Sequence, residues 1–141
     1  MVPGEPKAKG RPRFRTTGRA YTPNDTASYE NLVKLAYRDE VGDVMLDGQL
    51  FCRITAYFPI PKSVTKKRRI LMSAEHIRPI KRPDLDNIGK TIADALNHIA
   101  YGDDSQIVTM VISKKYSENP CVVCEIRTWD DVPTDGELVF W

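Results

Sequence analysis

Arg82-Pro83-Asp84-Leu85-Asp86-Asn87-Ile88-Gly89-Lys90-Thr91-Ile92-Ala93-Asp94-Ala95-Leu96-Asn97, followed after a short loop by Gly102-Asp103-Asp104-Ser105-Gln106, organises this 141-residue chain. Pro83 and Asp84 suit a helix start, and apolar residues recur at Leu85, Ile88, Ile92, Leu96 and Ile99. The spacing predicts a helix from Asp84 to Ile99 with those five side chains in one buried stripe. At roughly 100° per residue, Asp86, Lys90, Asp94 and Asn97 fall within about 80° of arc on the opposite side. Asp84 stands beside Asp86 at the helix mouth, where the positive end of the helix dipole favours ionised carboxylates.

Two readings of that face stay open on the helix alone. Asp84 serves as a simple cap and Asp86, Lys90 and Asp94 as an i,i+4 ladder, or the anions at the helix start form a cation site. Beyond the helix, Asp103 and Asp104 follow Gly102 and precede the apolar, β-rich run Ile107 to Ile112, so a second pair of carboxylates sits where a turn enters a strand. Like charges brought together are costly unless a cation neutralises them. Magnesium does so with oxygen ligands, commonly one or two protein carboxylates together with waters and a substrate phosphate. A lysine one turn away, Lys90, can offset charge developing on a phosphodiester under attack.

Asp84-Leu85-Asp86-Asn87, Lys90 four residues after the second aspartate, Asp94-Ala95-Leu96 four further on, and Asp103-Asp104-Ser105-Gln106 together resemble the RusA family of Holliday-junction resolvases. The resemblance covers the core from about Gln49 to Trp129, with a weaker echo in Pro3-Gly4-Glu5-Pro6-Lys7-Ala8-Lys9-Gly10-Arg11-Pro12-Arg13. It implies a RusA-like fold and a homodimeric, magnesium- or manganese-dependent endonuclease that nicks paired strands of four-way junction DNA. Carried over residue by residue, it implies Asp84, Asp86 and Asp104 as metal ligands, Lys90 as the catalytic lysine and Asp103 as a further candidate ligand. The loop from helix to Asp-Asp is one residue shorter here than in the family, and matching Asp104 rather than Asp103 rests on Gln106. The family opens with a short strand before the Pro-Gly segment, for which Met1-Val2-Pro3 leaves little room.

The length is that of one ordinary domain, and 41% hydrophobic with 28% charged residues is the balance of a soluble globular protein. No apolar run approaches a membrane helix, and the basic N-terminal region lacks the apolar stretch of a signal peptide, which places the chain in the cytoplasm with no membrane partner. A formal net charge of +2 hides an asymmetry: residues 1–82 hold 17 Lys and Arg against 8 Asp and Glu, whereas residues 83–141 hold 4 against 11. The basic part implies a polyanionic partner and the acidic part a metal site. Three cysteines argue against a disulfide framework. Cys121 and Cys124 alternate faces within a β-like run, so all three read as small buried hydrophobes rather than zinc ligands. No small organic cofactor is required.

Every odd position from Lys7 to Arg15 is basic: Lys7, Lys9, Arg11, Arg13 and Arg15. In an extended segment all five project to one side over roughly 26 Å, a stripe suited to phosphates. This basic segment spans residues 1–20. Thr22 to Asp25 reads as a turn before a helix from Thr26 to Val41, with Tyr29, Leu32, Val33, Ala36 and Tyr37 on its apolar face. Leu50, Cys52, Ile54, Ala56 and Phe58 alternate with more polar neighbours as a strand closed by Pro59. Lys66, Lys67, Arg68 and Arg69 fall on a short helix capped by Ser63, and Arg78, Lys81 and Arg82 lead into Asp84; these cations are further candidates for DNA contact. Ile107–Tyr116 and Cys121–Trp129 read as two strands of a hairpin. Residues 130–141 form an acidic tail with an apolar end. The expected architecture is a single α+β domain with a mixed sheet and a few helices. The expected activity is metal-assisted junction cleavage in DNA repair and recombination; the rivals are a nuclease for other branched or single-stranded DNA and a catalytically silent nucleic-acid-binding protein.

Overall fold

Leu50, Cys52, Ile54, Ala56 and Phe58 are each at most 2% exposed, and their alternation makes β4 (Leu50–Pro59) the strand on which the chain assembles. The computed structural model describes residues 1–7, 13–14, 20–21 and 24–132. Ahead of β4 come β1 (Val2–Pro3), β2 (Arg13–Phe14), β3 (Ala20–Tyr21) and α1 (Asn24–Glu40); after it come α2 (Lys66–Ser73), α3 (Leu85–Ala95), β5 (Ile107–Ser117) and β6 (Cys121–Thr128). Single 3-10 turns cover Asp104–Gln106 and Trp129–Asp131. The four-stranded sheet has the order β1-β6-β4-β5, and β2 pairs with β3 in a separate ribbon. This is the mixed-sheet α+β architecture expected from the sequence.

β5 and β6 are nevertheless not hairpin partners. β5 runs parallel to β4 and β6 antiparallel to it, so β4 separates the two. The short Glu118–Pro120 link passes over the end of β4, which stops at Pro59 and Pro61, residues with no N–H to continue a ladder. A parallel pair needs a crossover, and the β4-to-β5 connection supplies it through α2 and α3. Ile88, Ile92 and Leu96 of α3 meet Val33 and Tyr29 of α1 and the inner face of β4 in one core. Gly89 allows close approach of α3 to β5: a Cβ there would lie 2.5 Å from Ile112 Cδ1 and 3.0 Å from Met110 Sδ. On β6, Cys124 faces Ile54 and Cys121 faces Tyr57 in the register; all three cysteines are free, with Cys52 Sγ 3.8 Å from Cys124 Sγ.

Three local expectations change. α2 is capped by Thr65, whose hydroxyl accepts from Arg68 N–H at 3.2 Å, because Ser63 lies inside the Pro61–Val64 turn. Leu85 is 43% exposed, so the stripe of α3 begins at Ile88. α3 also ends at Ala95 rather than Ile99. Asn97 N–H bonds back to Asp94 O at 3.3 Å, tightening the last turn, and His98 turns left-handed at φ 63°. The fully buried Tyr101 donates its hydroxyl to Ala93 O at 2.7 Å, taking a carbonyl that a longer helix would have satisfied itself. Burial pushes the Tyr101 phenol far above its ordinary pKa, so it stays a donor.

Tyr101→Phe therefore strands a buried carbonyl at the end of α3 and lowers stability by about 1–3 kcal/mol, read as a lower urea midpoint at unchanged slope. An unchanged midpoint contradicts this role for the hydroxyl.

Candidate active site

α3 begins on Asp84, which caps through its backbone: its carbonyl accepts from Ile88 N–H at 3.0 Å, while its carboxylate makes no capping bond. The simple cap reading thus fails for the side chain, which stays exposed at the positive end of the helix. Asp86 and Lys90 follow on the exposed face, and Asp94, one turn beyond Lys90, is half-buried.

The second carboxylate pair is set by the loop after α3. Asn97 Oδ1 accepts the Asp104 N–H at 2.8 Å. Gln106 Oε1 accepts the Asp103 N–H at 3.0 Å, while its amide nitrogen donates to Leu46 O at 3.3 Å and Gly48 O at 3.1 Å. One glutamine thereby ties the Asp-Asp turn to the chain entering β4. Leu46 N–H in turn donates to Ala100 O at 2.8 Å.

This fixation separates the two aspartates electrostatically. The Ser105 hydroxyl, donating to Asp103 Oδ2 at 2.5 Å, holds the Asp103 carboxyl below its ordinary range. Asp104 is pushed up, first by burial, then by the charges of Asp103 and Asp94. Asp104 and Lys90 line one open cleft of about 470 Å³, walled by Gly89, Ala93 and Ile107 to Met110. Lys90 and Asp104 thus share one cleft, and the charge of Asp94 acts on Asp104. Asp84 and Asp86 stand at the other end: eight residues separate Asp86 from Asp94, or about 12 Å of helix. Among the described residues, no three His, Cys, Asp or Glu side chains are grouped to hold a metal ion. Asp104, an oxygen donor that shares its cleft with the Lys90 ammonium and feels the charge of a second carboxylate, Asp94, is chemically suited to a hard divalent cation that keeps open positions for water and phosphate.

Sequence reasoning gave Asp94, Asn97 and Gln106 no role in the site. Their signal was present in the i,i+4 continuation of Asp86 and Lys90 to Asp94, and in the two amides that flank the acidic turn.

The cations divide by their partners. Lys66, Lys67 and Arg68 are exposed on α2, whereas Arg69 turns to Glu118 at 2.8 Å and to Pro61 O at 3.3 Å. Lys81 Nζ lies over the Phe58 ring at 5.8 Å and Arg82 is exposed. Of the basic stripe, Lys7 is exposed and Arg13 lies in β2; Lys9, Arg11 and Arg15 fall outside the described residues, as do residues 133–141 of the tail. No described helix is long and apolar enough to cross a membrane.

Asn97→Ala removes the acceptor of the Asp104 amide, whose hydrogen exchange should quicken about 5- to 10-fold while the amides of β4 are unaffected. Unchanged exchange at Asp104 contradicts the pinning of this turn by Asn97.

Comparison with known proteins agrees with this layout. The family model described as endodeoxyribonuclease RusA matches residues 3–127, a span that includes α3, the Asp-Asp turn, β4, β5 and nearly all of β6. The chain is also similar to YqaN of Bacillus subtilis (strain 168), an uncharacterized protein, with 37% identity over 131 residues that cover 89% of this chain and 92% of that one. A family match over residues 3–127, most of the chain, makes it a member of the RusA endodeoxyribonuclease family.

Proposed function

We propose that this protein is a divalent-metal-dependent endonuclease that resolves four-way DNA junctions by paired nicks. It acts as a cytoplasmic homodimer in DNA recombination and repair. The observation that carries the reading is the meeting of Lys90 and Asp104 at one cleft, with the charge of Asp94 acting on Asp104, in a chain of the RusA family. Asp84 and Asp86 at the helix mouth, and Asp104 with Asp94 on the far side of Lys90, are the carboxylates that would hold magnesium or manganese, with Asp103 adjoining. A cation held there would supply Lewis-acid polarisation of the phosphodiester and a more acidic water.

The chain's own groups do the remaining work. Lys90 is free of the helix core and faces the cleft, so its ammonium meets negative charge that grows on the phosphate as the bond breaks. The Asn97 and Gln106 bonds hold Asp104 in register with it, and a misplacement of about 1 Å at such a site costs roughly 100-fold in rate. Arg82, Lys81 and the exposed cations of α2 draw the DNA backbone toward the acidic cleft, offsetting its repulsion. A homodimer places one site at each of the two strands that a junction presents around its two-fold axis.

The test compares cleavage of junction, fork, single-stranded and duplex DNA with magnesium, alongside gel shifts without it. Wild type should cut the junction in preference. Asp84→Asn and Asp86→Asn should each abolish cleavage with binding kept or tightened, since each loses a ligand and a negative charge facing phosphates. Lys90→Ala should lower single-turnover rates by about 100-fold or more with binding kept, and Lys90→Arg should recover little, a planar fork being a poor substitute for a point charge. Preference for forks or single strands reassigns the substrate; binding without any cleavage makes the protein a silent binder. Near-normal cleavage by either aspartate variant refutes the site.

A further inference from the structure

Ile80 is 100% exposed, more than any other large hydrophobic among the described residues, and it lies four residues before Asp84. A lone exposed apolar side chain is ordinary on a protein surface. The setting of this one is not. Its neighbours Pro79 and Pro83 are buried, and the Lys81 carbonyl accepts a hydrogen bond from Lys114 Nζ. Lys81 and Lys114 both sit over the Phe58 ring, at 5.8 and 5.1 Å, and Arg78 bonds to Lys114 O at 3.5 Å and pairs with Glu75 at 3.5 Å. The residues flanking Ile80 are therefore tied to β5, Arg78 through its guanidinium and Lys81 through its carbonyl, while the Ile80 side chain stands fully exposed between them.

Arg78, Lys81 and Arg82 flank Ile80 and are all exposed. Cations on both sides of an apolar tip match the alternation of phosphate and base in a DNA strand: the cations take backbone phosphates, and the tip then faces a base. Isoleucine is among the side chains that insert at base steps and unstack them.

Building on the DNA reading above, we propose that Ile80 is a wedge that contacts an unstacked base at the junction crossover and holds it open at the N-terminal mouth of α3. Its partner is the face of a nucleobase, not a protein surface. The contact is made with the bound DNA before cleavage, and it sets how the scissile phosphate is presented.

Synthetic four-way junctions carrying 2-aminopurine at single positions around the crossover test this. Fluorescence is read without divalent metal and single-turnover cleavage with magnesium, for wild type, Ile80→Ser and Ile80→Met. Wild type should brighten one position several-fold on binding. Ile80→Ser should lose that rise and about tenfold in cleavage rate at saturating protein, with near-wild-type affinity, and Ile80→Met should restore both. An abasic nucleotide opposite the brightened base should rescue Ile80→Ser. If wild type binds and cuts while Ile80→Ser keeps both signals, the wedge is overturned and the nuclease reading stands. If wild type binds no DNA, both fall. A change in sedimenting mass with Ile80→Ser, at unchanged fluorescence, overturns the wedge in favour of self-association.

Discussion

The buried hydrogen bond from the Tyr101 hydroxyl to Ala93 O decides where α3 stops, and the rest of the site depends on that stop. A helix continued to Ile99 would carry Asn97 around on the helical face and leave no chain to return Asp104 against Asp94. Ending at Ala95, with a left-handed His98 and a buried Tyr101, turns the chain back on itself within a few residues. Asn97 is then free to accept the Asp104 amide, and Gln106 locks the far side of the turn onto the approach to β4. One fully buried phenol thus links the core to the position of a carboxylate at the surface.

The electrostatic consequence is a concentration of like charge that the protein alone does not relieve. Asp104 is raised by its burial and by Asp103 and Asp94, while Asp103 is kept low by Ser105. Environments that push neighbouring carboxyls apart are a usual sign of a working site. Lys90 is the cation that lines the same cleft, and an ammonium there offsets only part of the local charge. Asp84 and Asp86, two turns up the helix, extend the acidic face toward the loop that carries Arg82, Lys81 and Ile80. The site is accordingly an elongated strip rather than a compact cage, a shape suited to a strand of DNA lying along the exposed face of α3.

Much of this strip could be read from the sequence. The period of Ile88, Ile92 and Leu96 fixed which face of α3 is buried, and so placed Asp86, Lys90 and Asp94 outward together. The alternation from Leu50 to Phe58 identified β4 as a strand, and the sheet order then puts it between β6 and β5. Strand pairing was less legible: Ile107–Ser117 and Cys121–Thr128 look like a hairpin because only a short link joins them, and nothing local records that β4 passes between. The end of α3 was missed for a similar reason, since Ile99 continues the apolar period while the competing bond from Tyr101 is a tertiary one. Asn97 lay on the polar face of the predicted helix and Gln106 beside the acidic turn, but their bonds to the Asp104 and Asp103 amides form only in the tertiary fold. Of the basic stripe, only Lys7 and the backbone of Arg13 lie among the described residues.

Contact between a divalent cation held by these carboxylates and the phosphate being cut is tested most directly with a junction carrying a single phosphorothioate diastereomer at the scissile bond. Sulfur binds magnesium poorly and manganese better. Cleavage with magnesium should fall at least about tenfold relative to the normal junction and recover substantially with manganese, and Asp104→Asn should show no such recovery. Equal loss with both metals, or cleavage of the normal junction without any divalent cation, would contradict a metal-assisted reaction at this cleft.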